Sequence, residues 1–507
     1  MRYNTIINKW SILTEQCHKT FICLVSVVVM FFSAGCDDFL DVAPSSSVSI
    51  PTFIEDYENM LYPFYLKYNA NPILAVMGDD VYWSKSFYNS WSGNEQFRRA
   101  YLWSDEIYDQ TMSNTHWNQQ YGMIYTFNKI VDEVYYIGNT SDISKNFYAD
   151  SFNLDTSDYV RIDLFESDSA IQPMTVIVSV YAKPYALANE NDPGIPVIQK
   201  NDVTETKRER TPVREVYNFI ISDLDSAIKY LPPHPTKASR YQAAGLNVIG
   251  LKAKVLYHMN EYGRALTELE NFFELLATTT SRFNYSYALF NYENATPSPY
   301  DPSGLPSVYD PVADVEDVMI NEYMFDPTKG SLYPGGIAVL ASNHLMSLFP
   351  ADGDRRKELM LSKTGTDADE PDRVIKEGHY SNTGISMPDI YLMIAECYAR
   401  SNRTTEALKY LNELRENRLT PATYTELSSS DSQVILRWVL EERIKEFVAT
   451  GHRWLDMRRL WNDPVGSALI EKTRTFDGKT YTLTENRLTV RIPEYVMEFN
   501  PGWEQNP

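Results

Sequence analysis

Cysteine, grouped histidines and positive charge are what this chain has least of. Of its 4 cysteines, Cys17, Cys23 and Cys36 fall in the first 36 residues, and only Cys397 stands in the body of the chain. A body with one cysteine forms no internal disulfide, and Cys397, set in an apolar helical stretch, reads as a small core hydrophobe. The 7 histidines (His18, His116, His234, His258, His344, His379, His452) are scattered singly, with no His-Glu-x-x-His and no Cys/His zinc spacing. A phosphate-binding glycine loop and a Gly-x-Ser-x-Gly elbow are also missing, so nucleotide chemistry and serine hydrolysis have no motif to stand on. Lys and Arg number 46 against 68 Asp and Glu, a net charge of −22. Nucleic acid and anionic lipid are therefore poor partners, and a neutral or cationic ligand suits the chain better. No Gly/Ser-rich linker or low-complexity break divides the 507 residues, which read as one large body.

The first residues have their own pattern. Arg2, Lys9 and Lys19 precede an apolar run from Phe21 to Phe32 that ends at Ser33-Ala34-Gly35-Cys36. This predicts a lipoprotein signal peptide over 1–35, with Cys36 as the lipid attachment site; an ordinary signal peptide with a chance cysteine is the plainer alternative. The run falls short of the roughly 20 residues a spanning helix needs. Removing residues 1–35, which carry three positive charges and one negative, takes the net charge to −24. Asp37 and Asp38 follow the cysteine directly.

Aromatics are plentiful at 13%, with 36 tyrosines. The helical pattern is plainest from Pro388 to Trp461. An apolar run, Ile390 to Ala395, crosses a polar turn at Ser401-Asn402-Arg403 and resumes with Ala407, Leu408, Leu411 and Leu414 at helical spacing. Ala395, Ala399 and Ala407 allow the close helix crossing that tetratricopeptide-like hairpins use. A charged helix is predicted from Gln433 to Thr450, stopped by a left-handed Gly451, with Glu441, Glu442, Arg443, Lys445 and Glu446 forming weak ion pairs on an exposed face. The pattern repeats upstream: Ala253, Ala265 and Leu269 match Ala395, Ala407 and Leu411 at a constant offset of 142. Before it, Thr211-Pro212 reads as a capped helix start, with a buried stripe of Val216, Ile220, Leu224, Ala227, Ile228 and Leu231 running to Pro232-Pro233. Earlier helices are expected from Ile50 to Leu66 and from Trp117 to Ile137, the latter with Tyr121, Ile124, Tyr125, Asn128, Val131 and Tyr135 on one face.

Stacked hairpins share a core, so function belongs in what is inserted between them. From Gly78 to Gly93, within a loop-rich stretch reaching about 110, aromatics alternate with Asn, Ser, Asp and Lys without helical periodicity. Trp83, Tyr88 and Trp91 are candidate ligand contacts there, because flat rings match the apolar faces of sugars while amides and carboxylates match their hydroxyls. A second stretch, about 283–336, is tyrosine-rich and broken by Pro297, Pro299, Pro302 and Pro306. It contributes Tyr285, Tyr292, Tyr300 and Tyr309 as further candidates. In both stretches the plain alternative is an aromatic pinning its loop to the body. Asp352, Asp354 and Glu358 fit no calcium loop, so a solvated turn is expected.

The ordered set Tyr391-Leu392…Ala395-Glu396, Ala407-Leu408…Leu411-Asn412…Leu414-Arg415, Glu441-Glu442-Arg443…Glu446-Phe447…Gly451-His452-Arg453…Asp456-Met457-Arg458-Arg459 resembles the C-terminal half of the SusD/RagB family. The end of the chain, Ile492-Pro493…Asn500-Pro501…Gln505-Asn506-Pro507, is similar to that family as well. The resemblance implies a mainly α, SusD-like fold built on tetratricopeptide-like helix hairpins (about 115–137, 211–276 and 388–461) with loop-rich insertions. It also implies a lipid-anchored outer-membrane protein that captures oligosaccharide and delivers it to a SusC-like TonB-dependent transporter, without catalysis, cofactor or metal. The family keeps no fixed binding motif, so it assigns no ligand residue. The segment 141–173 departs from the family pattern; a diverged insertion and a scrambled reading frame would both look like this. With 68 acidic residues a glycosidase pair is not excluded by spacing, so a secreted carbohydrate-active enzyme stays as one alternative and a protein-binding helical scaffold as another.

Overall fold

The computed structural model describes residues 72–90, 95–108, 116–118, 120–128, 174–199, 208–234, 244–278, 287–295, 317–319, 340–362, 374–375 and 384–507. The chain divides into two compact units, Met1–Asp56 and Tyr57–Pro507; the first lies outside the described residues, as do Cys36, the expected 50–66 helix and the 141–173 segment.

The second unit is organised around one helix, Met387–Arg400, buried at every position from Met387 to Ala399. Pro388 occupies its first turn, where no intrahelical N–H is missed. The helix is enclosed on all sides, its two buried carboxylates, Asp389 and Glu396, being paired with arginines. It packs against Tyr262–Ala277, Thr404–Glu416 and Ser432–Glu446, and more lightly against Gly245–His258. The hairpin Gly245–His258/Tyr262–Ala277 packs in turn on Val213–Tyr230. Ala253, Ala265, Leu269, Ala395, Ala407 and Leu411, the residues matched at the offset of 142, are all fully buried. The hairpin turns repeat too: Asn260 (φ 62°) and Asn402 (φ 58°) both stand in the left-handed region that asparagine tolerates, again 142 apart. Gly250 marks a close approach, since a Cβ there would lie 3.0 Å from Ile385 Cγ2.

Several expectations are corrected. The charged helix ends at Glu446 rather than Thr450, and the left-handed Gly451 (φ 87°) begins the next helix, His452–Arg459. Its charged face is buried rather than exposed: Glu442, Arg443, Lys445 and Glu446 are all enclosed. Arg356, fully buried, meets Asp354 (2.8 Å), Glu442 (2.7 Å) and Glu446 (3.0 Å), and Arg418 reaches Glu446 at 2.7 Å. On the other side of the helix Arg443 bridges Asp389 and Asp456, both at 2.9 Å. Of the expected solvated turn, Asp352 and Glu358 are exposed, but Asp354 is buried and spent on Arg356. Thr211 caps nothing; its backbone pairs with Gly194 and Ile195, and the helix begins at Val213 behind Pro212. In the helical stretch 116–128, Ile124 and Asn128 are buried as expected, but Tyr125 is 45% exposed.

Strands are short and antiparallel. Val81–Tyr82 pairs with Leu340–Ala341, which pairs through Leu340 with Val374. A hairpin joins Thr473–Phe476 to Lys479–Thr482. Its turn residues Asp477 (φ 47°) and Gly478 (φ 73°) are both left-handed, as an Asp-Gly hairpin turn requires. The chain's last residues are stitched in: Asn506 donates to Tyr181 O (2.7 Å) and Val490 O (2.8 Å), and Arg210 donates to its Oδ1 (2.7 Å).

Candidate ligand-binding site

The first aromatic segment is no free loop. Asp79 and Asp80 fix its base: Arg453 Nη2 donates to Asp79 Oδ2 at 2.8 Å, and Ala449 N donates to Asp80 Oδ2 at 2.8 Å. Burial would raise the Asp79 carboxyl, but the Arg453 guanidinium outweighs it and holds it below its usual range. Asp80 has no such partner, and burial pushes it up to about 6. Beyond them come a two-residue strand, Val81–Tyr82, and a short helix, Lys85–Ser90, where sequence periodicity indicated neither.

A column of rings and guanidiniums follows. Trp83 stacks on Tyr101 at 4.8 Å and 7° and meets the edge of Tyr88 at 6.3 Å. Arg474, from the 473–482 hairpin, lies 4.1 Å from the Tyr101 centroid and 4.2 Å from that of Trp103. It also donates to the carbonyls of Gly78 (2.6 Å), Tyr101 and Val76. Phe476 of the same hairpin sits 4.4 Å from Tyr88, whose ring also carries Arg98 at 4.2 Å. At the hairpin tip Asp477 pairs with Lys85 at 2.7 Å. Trp83 is fully buried, so its expected role as a ligand contact is corrected to a core one. Tyr88 is half-buried and its ring is taken up by Arg98 and Phe476. Trp91 lies outside the described residues.

The second segment is rooted in the same way. Tyr292 is buried, with the Arg418 guanidinium 4.0 Å from its ring centroid. Arg418 also donates to Phe290 O at 2.8 Å, and Tyr292 N donates to Asn417 O at 3.0 Å. Asn291 caps the short turn that follows by accepting from Glu293 N at 2.9 Å. Tyr292 is thus an anchor rather than a ligand contact, the second correction; Tyr285, Tyr300 and Tyr309 lie outside the described residues. Chain returning past this segment pairs Ala341 with Val81, and Ser342 N donates to Asp80 O at 2.9 Å. The strand Leu340–Ala341, which follows the second segment in sequence, is thus joined to the base of the first in one small sheet. Composition could not have found Arg418 or Arg474; both act across large sequence separations.

Among the described residues no group of three or more His, Cys, Asp or Glu side chains is placed to hold a metal ion. No described helix is long and apolar enough to cross a membrane.

Comparison with known proteins agrees with this architecture. A family model described as the SusD family matches residues 350–506, and one described as starch-binding and associating with the outer membrane matches 38–256. The chain belongs to the SusD/RagB family. It is 21% identical to the SusD-like protein P38 of Formosa agariphila over 96% of this chain and 98% of that protein. Among solved structures, a putative sugar-binding protein of Bacteroides vulgatus has a TM-score of 0.64 at 18% identity, covering 91% of this chain and 99% of that one. A SusD superfamily protein of Bacteroides thetaiotaomicron gives 0.63 at 18% over 90% and 100%. A SusD-like carbohydrate-binding protein of Bacteroides vulgatus gives 0.58 at 18% over 89% and 97%. These likenesses establish the SusD-like fold, and SusD family proteins are non-catalytic binding proteins.

Proposed function

We propose that this SusD-like chain is a lipid-anchored, cell-surface glycan-binding protein of the outer membrane. It captures oligosaccharide and delivers it to a SusC-like TonB-dependent transporter. In this reading 1–35 leaves as a signal peptide, Cys36 carries the lipid, and 36–507 works as one body. The observation that carries the proposal is the rooting of two aromatic-rich segments on the helical body, the first through Asp79 and Arg453 and the second through Tyr292 and Arg418, on a scaffold whose matched family is described as starch-binding and associating with the outer membrane. Rings that are rooted rather than free suit a preformed site, since rigid anchoring lowers the ordering cost of binding. Trp91, Tyr285, Tyr300 and Tyr309 are the residues proposed to face ligand. The net charge of −22 supports a neutral ligand over an anionic one. Purification of the tagged protein from detergent-solubilised outer membranes tests the transport step. A large barrel transporter recovered at comparable yield supports it; recovery alone, or from the inner membrane, contradicts it.

A further inference from the structure

Arg474, Arg210 and Arg458 are enclosed to different degrees and have no carboxylate in ion-pair contact among the described residues, and their N–H groups are satisfied differently. Arg474 is saturated by three carbonyls and two aromatic rings. Half-buried Arg210 donates to Gly194 O (2.8 Å), Pro193 O (2.9 Å), Glu504 O (2.7 Å) and Asn506 Oδ1 (2.7 Å). Arg458 is only 4% exposed and has one acceptor, Ala182 O, at 2.7 Å from Nη2. Its Nη1 makes no hydrogen bond. Arg443 also has an orphaned nitrogen, Nη2, but two carboxylates balance its charge. Arg458 thus lacks both a full set of acceptors and a counter-charge.

A second orphan lies one helical turn away. Trp454 is fully buried and its Nε1 donates to nothing. Both residues belong to His452–Arg459, and a spacing of four places them on one face, with Cβ atoms about 6 Å apart. Opposite Arg458 the packed helix Val213–Tyr230 offers Tyr217, a neutral phenol whose own ionisation burial pushes up to about 12. A water would satisfy the two donors but leave the guanidinium unbalanced. A small anion would do both. Both side chains are buried, which favours a small occupant over a ligand reaching in from solvent.

We propose that Arg458 Nη1 and Trp454 Nε1 hold a small monovalent anion, of halide type, inside the protein. It ties the His452–Arg459 helix to the chain at Ala182, and it is independent of glycan binding. Crystals of the full protein soaked in sodium bromide, recorded at the bromine edge, should show an anomalous peak within hydrogen-bonding distance of both nitrogens. In solution, replacing sodium gluconate by sodium bromide at constant ionic strength should raise the Tm of wild type relative to Arg458→Gln by about 2 °C. If Arg458→Gln does not fold, Trp454→Phe, which removes only one donor, takes its place. Density without anomalous signal identifies water and overturns the proposal. A bromide peak with no difference in solution means binding at crystal concentration only, and overturns it as well.

Discussion

Arg459 grips Glu396 with both arms of its guanidinium, Nη1 to Oε1 at 2.7 Å and Nη2 to Oε2 at 2.9 Å, in the interior of the helical body. The Tyr257 ring lies 4.0 Å beneath that guanidinium, and Tyr257 Oη donates to the same carboxylate. This pair locks the first hairpin, the central Met387–Arg400 helix and His452–Arg459 together. Removing one partner of such a pair strands a buried charge at a cost of about 3–5 kcal/mol. Glu396→Ala is expected to lose that much in a denaturant titration; a loss below about 1 kcal/mol would contradict the clamp.

The same burial sets the response to acid. Burial opposes the charge on Glu396 and Glu442, but Arg459 in the first case and Lys445 with Arg356 in the second outweigh it, holding both carboxyls at about 2 against an ordinary 4.5. A depressed acid stabilises the fold fully above its unfolded pKa and loses that contribution as pH falls through the folded one. Burial holds His116 and His258 at about 3 against 6.5. The unfolded chain therefore takes up their protons first, and stability begins to fall as pH drops below 6.5. Each such histidine contributes up to about 1.4 kcal/mol per pH unit. Denaturant stability from pH 8 to 4 should decline from about pH 6.5 and steepen below about 4.5. His258→Asn should flatten the upper part; an unchanged slope there would show that His258 titrates in the folded state.

Asp80 has the opposite sign. Its carboxyl, raised to about 6 from 3.8, favours the fold below 3.8 and loses that contribution as pH rises through 6. Its Oδ1 is buried with no hydrogen-bond partner. Asp80→Asn keeps the acceptor for Ala449 N and removes the buried charge, so its Tm should match or exceed wild type at pH 8 and lose that advantage at pH 4. A lower Tm at pH 8 would mean that the Asp80 charge is compensated.

Trp83 separates packing from binding. Trp83→Ala should destabilise by about 3–5 kcal/mol, as deletion of a buried indole does, whereas Trp91→Ala, Tyr300→Ala and Tyr309→Ala should weaken oligosaccharide binding with Tm unchanged. Calorimetric melting with ligand titration reads both. A Trp83→Ala protein of wild-type Tm would contradict its place in the column.

The repeated hairpins were legible in the sequence because helical periodicity and small residues are local signals. Ala253 and Ala395 announced their burial by spacing alone. The roots of the candidate site were not legible, because they depend on partners far along the chain. Asp79 and Arg453 are 374 residues apart, and Lys85 and Asp477 are 392 apart. Trp83 looks like a ligand ring until Tyr101 and Tyr88 pack against it. Glu442 and Glu446 look like surface charge until Arg356 and Arg418 arrive from other segments.

Capture of glycan without cleavage is the central claim, and affinity electrophoresis of the mature protein in gels cast with neutral polysaccharides, soluble starch first, tests it most directly when run beside a reducing-end assay of the same mixtures. The account predicts retardation by at least one polysaccharide with no new reducing ends. Release of reducing ends, or free migration through every neutral polysaccharide, would contradict it.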